Sequence, residues 1–223
     1  MPLDPQALSP LMCITLDGIG LAHRDQAERL CAAGARWVQL RMKGALRAAW
    51  LAEARAAALA CHARGAVLVV NDDPGIAQES GADGVHLGAR DCGWAEARRL
   101  LGGRAIVGGT VNSREDAERA AASGCLDYVG VGPLRFTATK RNLPPVLGLE
   151  GVRGLIARLG GLPAWVIGGV EPADMADLQR AGAAGAAVSS ALFLGGRIEE
   201  NLRSFARAWP GSGEPAPAAA RNS

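Results

Sequence analysis

The sequence predicts one α/β domain in which eight parallel strands close into a (β/α)8 TIM barrel, with the active site at the C-terminal ends of the strands. Three observations support this prediction. A helix-end motif recurs along the chain, short apolar segments follow it, and helical segments alternate with them. The 223 residues suffice for one such barrel.

The recurring motif is a small residue, a glycine and another small residue, placed each time before a short apolar segment. Its four glycines are Gly34, Gly81, Gly124 and Gly182. Glycine just past a helix end supplies the left-handed backbone that ends many helices. Each of the three intervals between these glycines is long enough for two strand–helix units. With one strand before Gly34 and one after Gly182, eight units are predicted in all.

The apolar segments supply the strands. Continuous apolar runs are typical of strands buried on both faces of a parallel sheet. The predicted strands are residues 11–16, 37–41, 67–70, 84–87, 105–108, 128–131, 164–167 and 186–188. The predicted helices include residues 46–64, 95–101, 113–123, 149–159, 172–181 and 198–209. This alternation favours a closed barrel, with an open doubly wound sheet as the alternative.

Two segments fall outside the alternation. Residues 133–148 form a connection longer than the usual ~2–6 residues, and long loops are often functional. The chain after Pro210 is rich in Pro, Ala, Gly and Ser, which predicts disorder. The expected organisation is a barrel domain of residues 1–209 and a tail of residues 210–223.

Composition limits the partners. The net charge is +2 and charges of both signs are interspersed, so we expect neither nucleic acid nor an anionic membrane as partner, but small phosphorylated molecules. The five cysteines include no C-x-x-C pair, and no apolar run reaches the ~18 residues that span a bilayer. These features predict a cytoplasmic protein. A homo-oligomer is compatible with the sequence, which leaves open whether apolar residues such as Leu192 and Phe193 form a subunit contact.

The positive charges at the predicted strand ends are unusual for this chain. It has 22 arginines but only two lysines, Lys43 at a strand end and Lys140 in the long loop. Three of its four threonines, Thr110, Thr137 and Thr139, lie in the same regions. An ammonium group is a compact charge suited to phosphate, although for either lysine alone chance placement is the alternative.

The last two strand ends predict a phosphate site. Gly168 and Gly169 precede a helix, and Ser189 and Ser190 follow the next strand. Backbone N–H groups and hydroxyls at this location bind phosphate in many barrels. The alternative is that the glycines only make tight turns.

Two acids predict a Mg²⁺ site. Asp72 and Asp91 follow adjacent strands, so their carboxylates can converge on one hard cation, which usually binds one or two carboxylates and substrate phosphates. With Arg41, Lys43 and Lys140 nearby, the expected ligand is a diphosphate. The alternative is that the two acids cap helices or pair with arginines.

Other polar residues are expected to be structural. We expect His86 to pack or hydrogen-bond rather than act as a base, and His23 and His62 to lie on helix surfaces. The acids expected to cap a helix or support a strand are Asp73, Asp83 and Asp127.

Taken together, these motifs resemble the thiamine phosphate synthase family over residues 11–195. The matching motifs are Gln39-Leu40-Arg41-x-Lys43, Val70-Asn71-Asp72, Gly84-Val85-His86-Leu87-Gly88 with Asp91, Asp127 to Pro133, Thr137-x-Thr139-Lys140, Gly148-Leu149, Gly168-Gly169-Val170 and Ser189-Ser190. The resemblance implies a transferase that joins an aminopyrimidine diphosphate to a thiazole phosphate with Mg²⁺ as cofactor. It also implies a dissociative reaction, in which diphosphate leaves before the thiazole nitrogen bonds.

The resemblance also implies the role of each matching residue. Asp72 and Asp91 would bind Mg²⁺. The residues that would hold the pyrimidine diphosphate are Gln39, Arg41, Lys43, Asn71, Thr110 and Lys140, of which Arg41, Lys43, Thr110 and Lys140 would act in catalysis. The residues that would hold the thiazole phosphate are Thr137, Ala138, Thr139, Gly169, Ser189 and Ser190.

The sequence departs from the common family pattern at four positions. The family often has Glu where this chain has Met42, and Gln where it has Ala89. It usually has Ser where this chain has Thr110, and His where it has Asn112. The alternatives are a related thiazole tautomerase, whose activity is associated with a His where this chain has Asn112, and a non-catalytic barrel that binds phosphate ligands.

Overall fold

Eight parallel strands form a closed barrel in the computed structural model, which describes residues 8–88, 91–137 and 144–211. Each strand pairs with the next, and the last pairs with the first. The strands are β1 Leu11–Ile14, β2 Trp37–Leu40, β3 Val67–Asn71, β4 Gly84–Leu87, β5 Ile106–Val111, β6 Tyr128–Val131, β7 Ala164–Ile167 and β8 Gly185–Val188. The (β/α)8 prediction is confirmed, and the open sheet is excluded.

Helices follow the strands around the barrel. They are α1 His23–Ala32, α2 Arg47–His62, α3 Pro74–Ser80, α4 Trp94–Leu101, α5 Arg114–Ser123, α6 Gly148–Ile156, α7 Met175–Arg180, α8 Ser190–Phe193 and α9 Ile198–Ala208, with 3-10 turns at Pro172–Asp174 and Leu194–Gly196. The single helix predicted for residues 172–181 is therefore a 3-10 turn followed by α7. In the described part of the chain, no helix is both long enough and apolar enough to span a membrane.

The glycines of the recurring motif adopt the expected conformation. All four have positive φ, for example 75° at Gly81 and 59° at Gly124, where helices α3 and α5 end. Side chains with a Cβ rarely adopt this conformation. The motif therefore marks helix ends, as predicted from the sequence.

β5 is longer than predicted. It continues through Gly108 and Gly109 to Val111, although the sequence interpretation ended the strand at residue 108. Gly108 pairs with Tyr128 in β6, and a Cβ at position 108 would overlap the Tyr128 ring. The glycine belongs to the strand because a large aromatic ring packs directly against its backbone.

Replacing Gly108 by alanine should destabilise the barrel by ~1–3 kcal/mol, because the added methyl group would overlap the Tyr128 ring. Urea unfolding measures this change. Gly103 is the matched control, since a Cβ there meets nothing within 4 Å and Gly103→Ala should change stability by less than ~0.5 kcal/mol. Equal stability of the two variants would contradict this packing.

The barrel interior is closed by aromatic residues. Trp37 lies edge-on to Tyr128 and to Trp165, with ring centroids 4.8 Å apart in both pairs. These rings belong to an apolar cluster inside the barrel, separate from the larger core between the strands and the helices. Such a filled interior leaves the rim at the strand ends as the place for polar groups.

The C-terminal part of the chain contains α8 and the last helix. Leu192 is fully buried in the core between the barrel and its helices, while Phe193 is only partly buried. The last helix ends at Ala208, and the predicted disordered tail lies outside the described residues beyond Gly211.

Candidate active site

Lys43, Asp72 and Asp91 meet at the C-terminal ends of β2, β3 and β4. The Lys43 ammonium forms an ion pair with Asp72, whose carboxylate also lies close to that of Asp91. Asp91 Oδ2 accepts the Gly88 N–H at 2.7 Å. The predicted convergence of the two acids is thus present, and both contact groups at the rim rather than capping helices.

Asp72 has an unusual backbone. Its φ is +72°, and among the described residues it is the one non-glycine residue with positive φ. Its N–H donates to the His86 carbonyl at 2.8 Å, which fixes this conformation. Strained residues of this kind cluster at functional sites, and here the backbone turns the carboxylate towards Asp91.

The electrostatics of the acid pair favour a cation. Burial raises the pKa of Asp91, and the neighbouring Asp72 carboxylate raises it further, while the Gly88 N–H and Lys43 oppose this rise. Two carboxylates in contact repel each other, and a bound cation relieves that repulsion. In the described ranges no three His, Cys, Asp or Glu side chains converge, so the donor set is two carboxylates. That set fits Mg²⁺, which takes further oxygens from substrate phosphates.

Arg41 lies at the same rim and is held by residues from the end of β1. Its N–H donates to Thr15 Oγ1 at 3.0 Å, and its guanidinium lies 3.6 Å from Asp17. His23 was predicted to lie on a surface, and that prediction is wrong, since it is only 8% exposed. Both ring nitrogens have hydrogen-bond partners, Thr15 Oγ1 at 2.8 Å and Asp17 Oδ1 at 3.1 Å. These contacts offset the cost of burying a polar ring.

A hydrogen-bonded chain runs from the barrel interior to Thr110. Gln39 hydrogen-bonds Tyr128, whose hydroxyl lies 3.0 Å from His86 Nδ1, and His86 Nε2 lies 3.0 Å from Thr110 Oγ1. Burial raises the pKa of Tyr128, so the phenol stays protonated. The predicted hydrogen-bonding role of His86 is confirmed, and Thr110 is oriented by it.

The predicted structural acids have the expected partners. Asp73 accepts the Ile76 N–H at 2.9 Å and caps α3. Asp83 accepts the Leu68 N–H at 2.8 Å, and Asp127 accepts the Val107 N–H at 2.7 Å. These three acids support the fold.

The phosphate side of the rim lies at the ends of β7 and β8. Gly168 and Gly169 have φ of 95° and 66°, and a Cβ at Gly169 would lie 2.9 Å from Arg135 Cβ. Ser189 Oγ is buried without a hydrogen-bond partner, whereas Ser190 is exposed at the start of α8. A buried hydroxyl without a partner is rare in proteins and points to a ligand that satisfies it.

Arg135 fixes the backbone around this side. Its guanidinium binds both carboxylate oxygens of Asp174, at 2.5 and 2.6 Å, and donates to the Gly169 carbonyl at 3.0 Å. Burial alone would raise the pKa of Asp174, but the Arg135 guanidinium and the Glu171 N–H bring this pKa below its usual value. The connections after β6 and β7 are thereby joined.

Two family departures have structural explanations. Asn112 Nδ2 donates to the Gly132 carbonyl at 2.5 Å, which ties the end of β5 to β6. Met42 packs partly buried against the core. A third departure, Ala89, lies outside the described residues.

Residues 11–192 match the family described as thiamine monophosphate synthase. The chain belongs to this family. A thiamine-phosphate synthase from Bacteroides fragilis is 38% identical over 186 residues, which cover 82% of this chain and 91% of that protein. One from Laribacter hongkongensis is 41% identical over 185 residues, 83% of this chain and 84% of that protein. Membership of the thiamine monophosphate synthase family confirms the predicted enzyme class.

A solved structure agrees with this family. The thiamine phosphate pyrophosphorylase from Pyrococcus furiosus superposes with a TM-score of 0.78 at 25% identity and covers 92% of this chain and 96% of that chain. Most residues that the resemblance to this synthase family selected lie at one rim in this chain. Ala138, Thr139 and Lys140 lie outside the described residues.

The sequence interpretation missed part of the synthase rim. It considered strand ends from the second strand onward and left out Thr15, Asp17 and His23 at the end of β1. One signal was available, because Thr15 is the fourth threonine of a chain whose other three had been assigned to the site.

Proposed function

We propose that the protein joins 4-amino-2-methyl-5-(diphosphooxymethyl)pyrimidine to a thiazole ethyl phosphate and releases thiamine phosphate and diphosphate. The observation that carries this proposal is the convergence of Lys43, Asp72 and Asp91 at one rim. A metal-binding acid pair beside a compact cation suits a leaving diphosphate. The free thiols of all five cysteines agree with a cytoplasmic setting.

The leaving group is the centre of the proposed reaction. The bond between the pyrimidine methylene carbon and the diphosphate oxygen breaks, and its electron pair leaves with the diphosphate. Mg²⁺ held by Asp72 and Asp91 would supply positive charge to that departing group. Lys43, Arg41 and Thr110 then bind the diphosphate oxygens from the protein side, together with Lys140.

The cationic pyrimidine is captured by the thiazole nitrogen, whose lone pair forms the new C–N bond. No protein nucleophile takes part in this scheme. Gln39 and Asn71, 3% and 8% exposed, would orient the aminopyrimidine at the ends of β2 and β3. Catalysis then consists of stabilising the departing charge and aligning two substrates.

The thiazole phosphate is assigned to the other side of the rim. The buried Ser189 hydroxyl, exposed Ser190 and the N–H of Gly169 are the proposed donors, with Thr137, Ala138 and Thr139 in the long loop. Arg135 supports this side through its contact with the Gly169 carbonyl. The tautomerase alternative is not favoured, because this chain has Asn112 where that activity is associated with a His, and the Asn112 amide donates to the Gly132 carbonyl.

The decisive assay incubates the protein with both phosphorylated substrates and Mg²⁺ and measures thiamine phosphate and diphosphate. Equal amounts of the two products, abolished by a chelator and restored by Mg²⁺, are expected. Binding of the thiazole phosphate without any product would instead support a non-catalytic barrel.

Replacing Ser189 by alanine should raise the KM for the thiazole phosphate about tenfold and leave the KM for the pyrimidine diphosphate unchanged. The melting temperature should not fall, because the lost hydroxyl has no partner in the ligand-free protein. Steady-state kinetics and thermal unfolding test both parts.

Ser80 provides the matched control for this variant. It is also buried, but its hydroxyl donates to the Ala77 carbonyl at 3.2 Å, far from the rim at the end of α3. Ser80→Ala should lower stability and leave both KM values unchanged. An unchanged thiazole KM in Ser189→Ala would remove Ser189 from the proposed site.

A further inference from the structure

Thr15, Asp17 and His23 form a polar cluster at the connection between β1 and α1, which we call the β1 cluster. Thr15 is fully buried and His23 is 8% exposed, while Asp17 is partly exposed. The His23 ring bridges the other two, with Nδ1 2.8 Å from Thr15 Oγ1 and Nε2 3.1 Å from Asp17 Oδ1. No residue of this cluster has a role in the function proposed above.

Thr15 Oγ1 takes part in two contacts. It accepts the Arg41 N–H at 3.0 Å and lies 2.8 Å from His23 Nδ1. The other ring nitrogen, Nε2, faces a carboxylate oxygen of Asp17, which accepts a hydrogen bond from it.

The β1 cluster thereby holds the segment that follows β2. Besides the Thr15 contact, Asp17 Oδ1 accepts the Lys43 N–H at 3.3 Å, and Asp17 Oδ2 lies 3.6 Å from the Arg41 guanidinium. Three contacts therefore reach residues 41–43 from a neighbouring connection. Arg41 and Lys43, two of the cations proposed to bind the diphosphate, are anchored in this way.

The cluster itself stands on a fixed backbone. Gln26 is fully buried and its side-chain amide accepts the Leu16 N–H and donates to the Leu16 carbonyl, both at 2.8 Å. The same amide donates to the Leu21 carbonyl at 2.9 Å. The Gln26 side chain thus satisfies three backbone groups of the connection between β1 and α1 and supports its conformation.

We propose that Thr15, Asp17 and His23 are positioning residues that fix Arg41 and Lys43 for the pyrimidine diphosphate. This inference rests on the function proposed above. Binding groups act at full strength only when supporting contacts hold them in place, and a displacement of about 1 Å can cost ~100-fold in rate. Because the cluster supports one side of the rim, its loss should affect one substrate and not the other.

The test is Thr15→Val, which keeps the branched shape and removes the hydroxyl. We expect the KM for the pyrimidine diphosphate, and the inhibition constant of inorganic diphosphate with Mg²⁺, to rise at least ~10-fold. The KM for the thiazole phosphate should stay within about twofold. Thr15→Ser should restore most of the loss, because serine keeps the bridging oxygen. If Thr15→Val does not fold, Thr15→Ala takes its place.

His62 and Asp83 provide a matched control at the opposite end of the barrel. His62 Nε2 lies 3.0 Å from Asp83 Oδ2, and the same oxygen accepts the Leu68 N–H at 2.8 Å. His62→Asn removes an equivalent His–Asp contact that is remote from the rim. It should leave both KM values unchanged.

Three outcomes would overturn the inference: equal changes in both KM values, no change in either, or a Thr15→Ser enzyme as impaired as Thr15→Val. Each would show that the cluster serves only the fold. Wild-type protein that makes no thiamine phosphate would instead refute the proposed function, so the two failures are distinguishable.

Discussion

Asp91→Asn should lower kcat by about two to three orders of magnitude at saturating Mg²⁺ and substrates, the effect typical of losing one preorganised charge-stabilising group. The amide removes one of the two carboxylates that would bind the metal ion. Stability should not fall in the ligand-free protein, because the substitution also removes the repulsion between Asp91 and Asp72. Kinetics and thermal unfolding without Mg²⁺ test the two parts.

Asp127→Asn is the control for this variant. Asp127 accepts the Val107 N–H at 2.7 Å and pairs with Arg98, away from the rim. We expect a lower melting temperature and little change in kcat. Asp91→Asn with near-normal turnover would show that the acid pair has no role in the departure of diphosphate.

Lys43→Gln should also lower kcat by about two to three orders of magnitude, for a different reason. In the ligand-free protein the Lys43 ammonium lies against Asp72, one of the proposed Mg²⁺ ligands. Lys43→Gln removes a cation that competes with Mg²⁺ for the Asp72 carboxylate, so Mg²⁺ should bind the free protein at least as tightly as before. Calorimetric Mg²⁺ titration beside steady-state kinetics separates the two effects.

Arg47→Gln is a suitable control because Arg47, the first residue of α2, pairs with Asp73 before α3 and with Glu79 in the last turn of α3. It should change neither kcat nor Mg²⁺ affinity by more than about twofold. A parallel loss of Mg²⁺ affinity and turnover in Lys43→Gln would mean that Lys43 shapes the metal site instead of binding the diphosphate.

The sequence predicts the barrel and most of the rim because both follow from local patterns. Helix-ending glycines such as Gly81 and Gly124 need only their own backbone conformation, and apolar runs identify buried strands. Asp72 and Asp91 could be brought together because parallel strands end at one edge. Chain topology alone supplies that inference.

What the sequence could not predict depends on contacts between distant residues. His23 looks like an exposed helix residue until Thr15 and Asp17 are placed beside its ring. The positive φ of Asp72 and the partnerless hydroxyl of Ser189 depend on the surrounding packing. Gly108 was taken as a strand end because glycines often flank strands, whereas its place inside β5 depends on the Tyr128 ring of another strand.

The central claim is that Asp72 and Asp91, through Mg²⁺, act with Lys43 on a single diphosphate. Calorimetric titration of inorganic diphosphate into the protein, with and without Mg²⁺, tests it most directly. We expect strong binding with Mg²⁺, a large loss without it, and the same loss in the Asp72→Asn, Asp91→Asn double variant whether or not Mg²⁺ is present. Diphosphate that binds equally well without Mg²⁺, or equally well to the double variant, would contradict the claim.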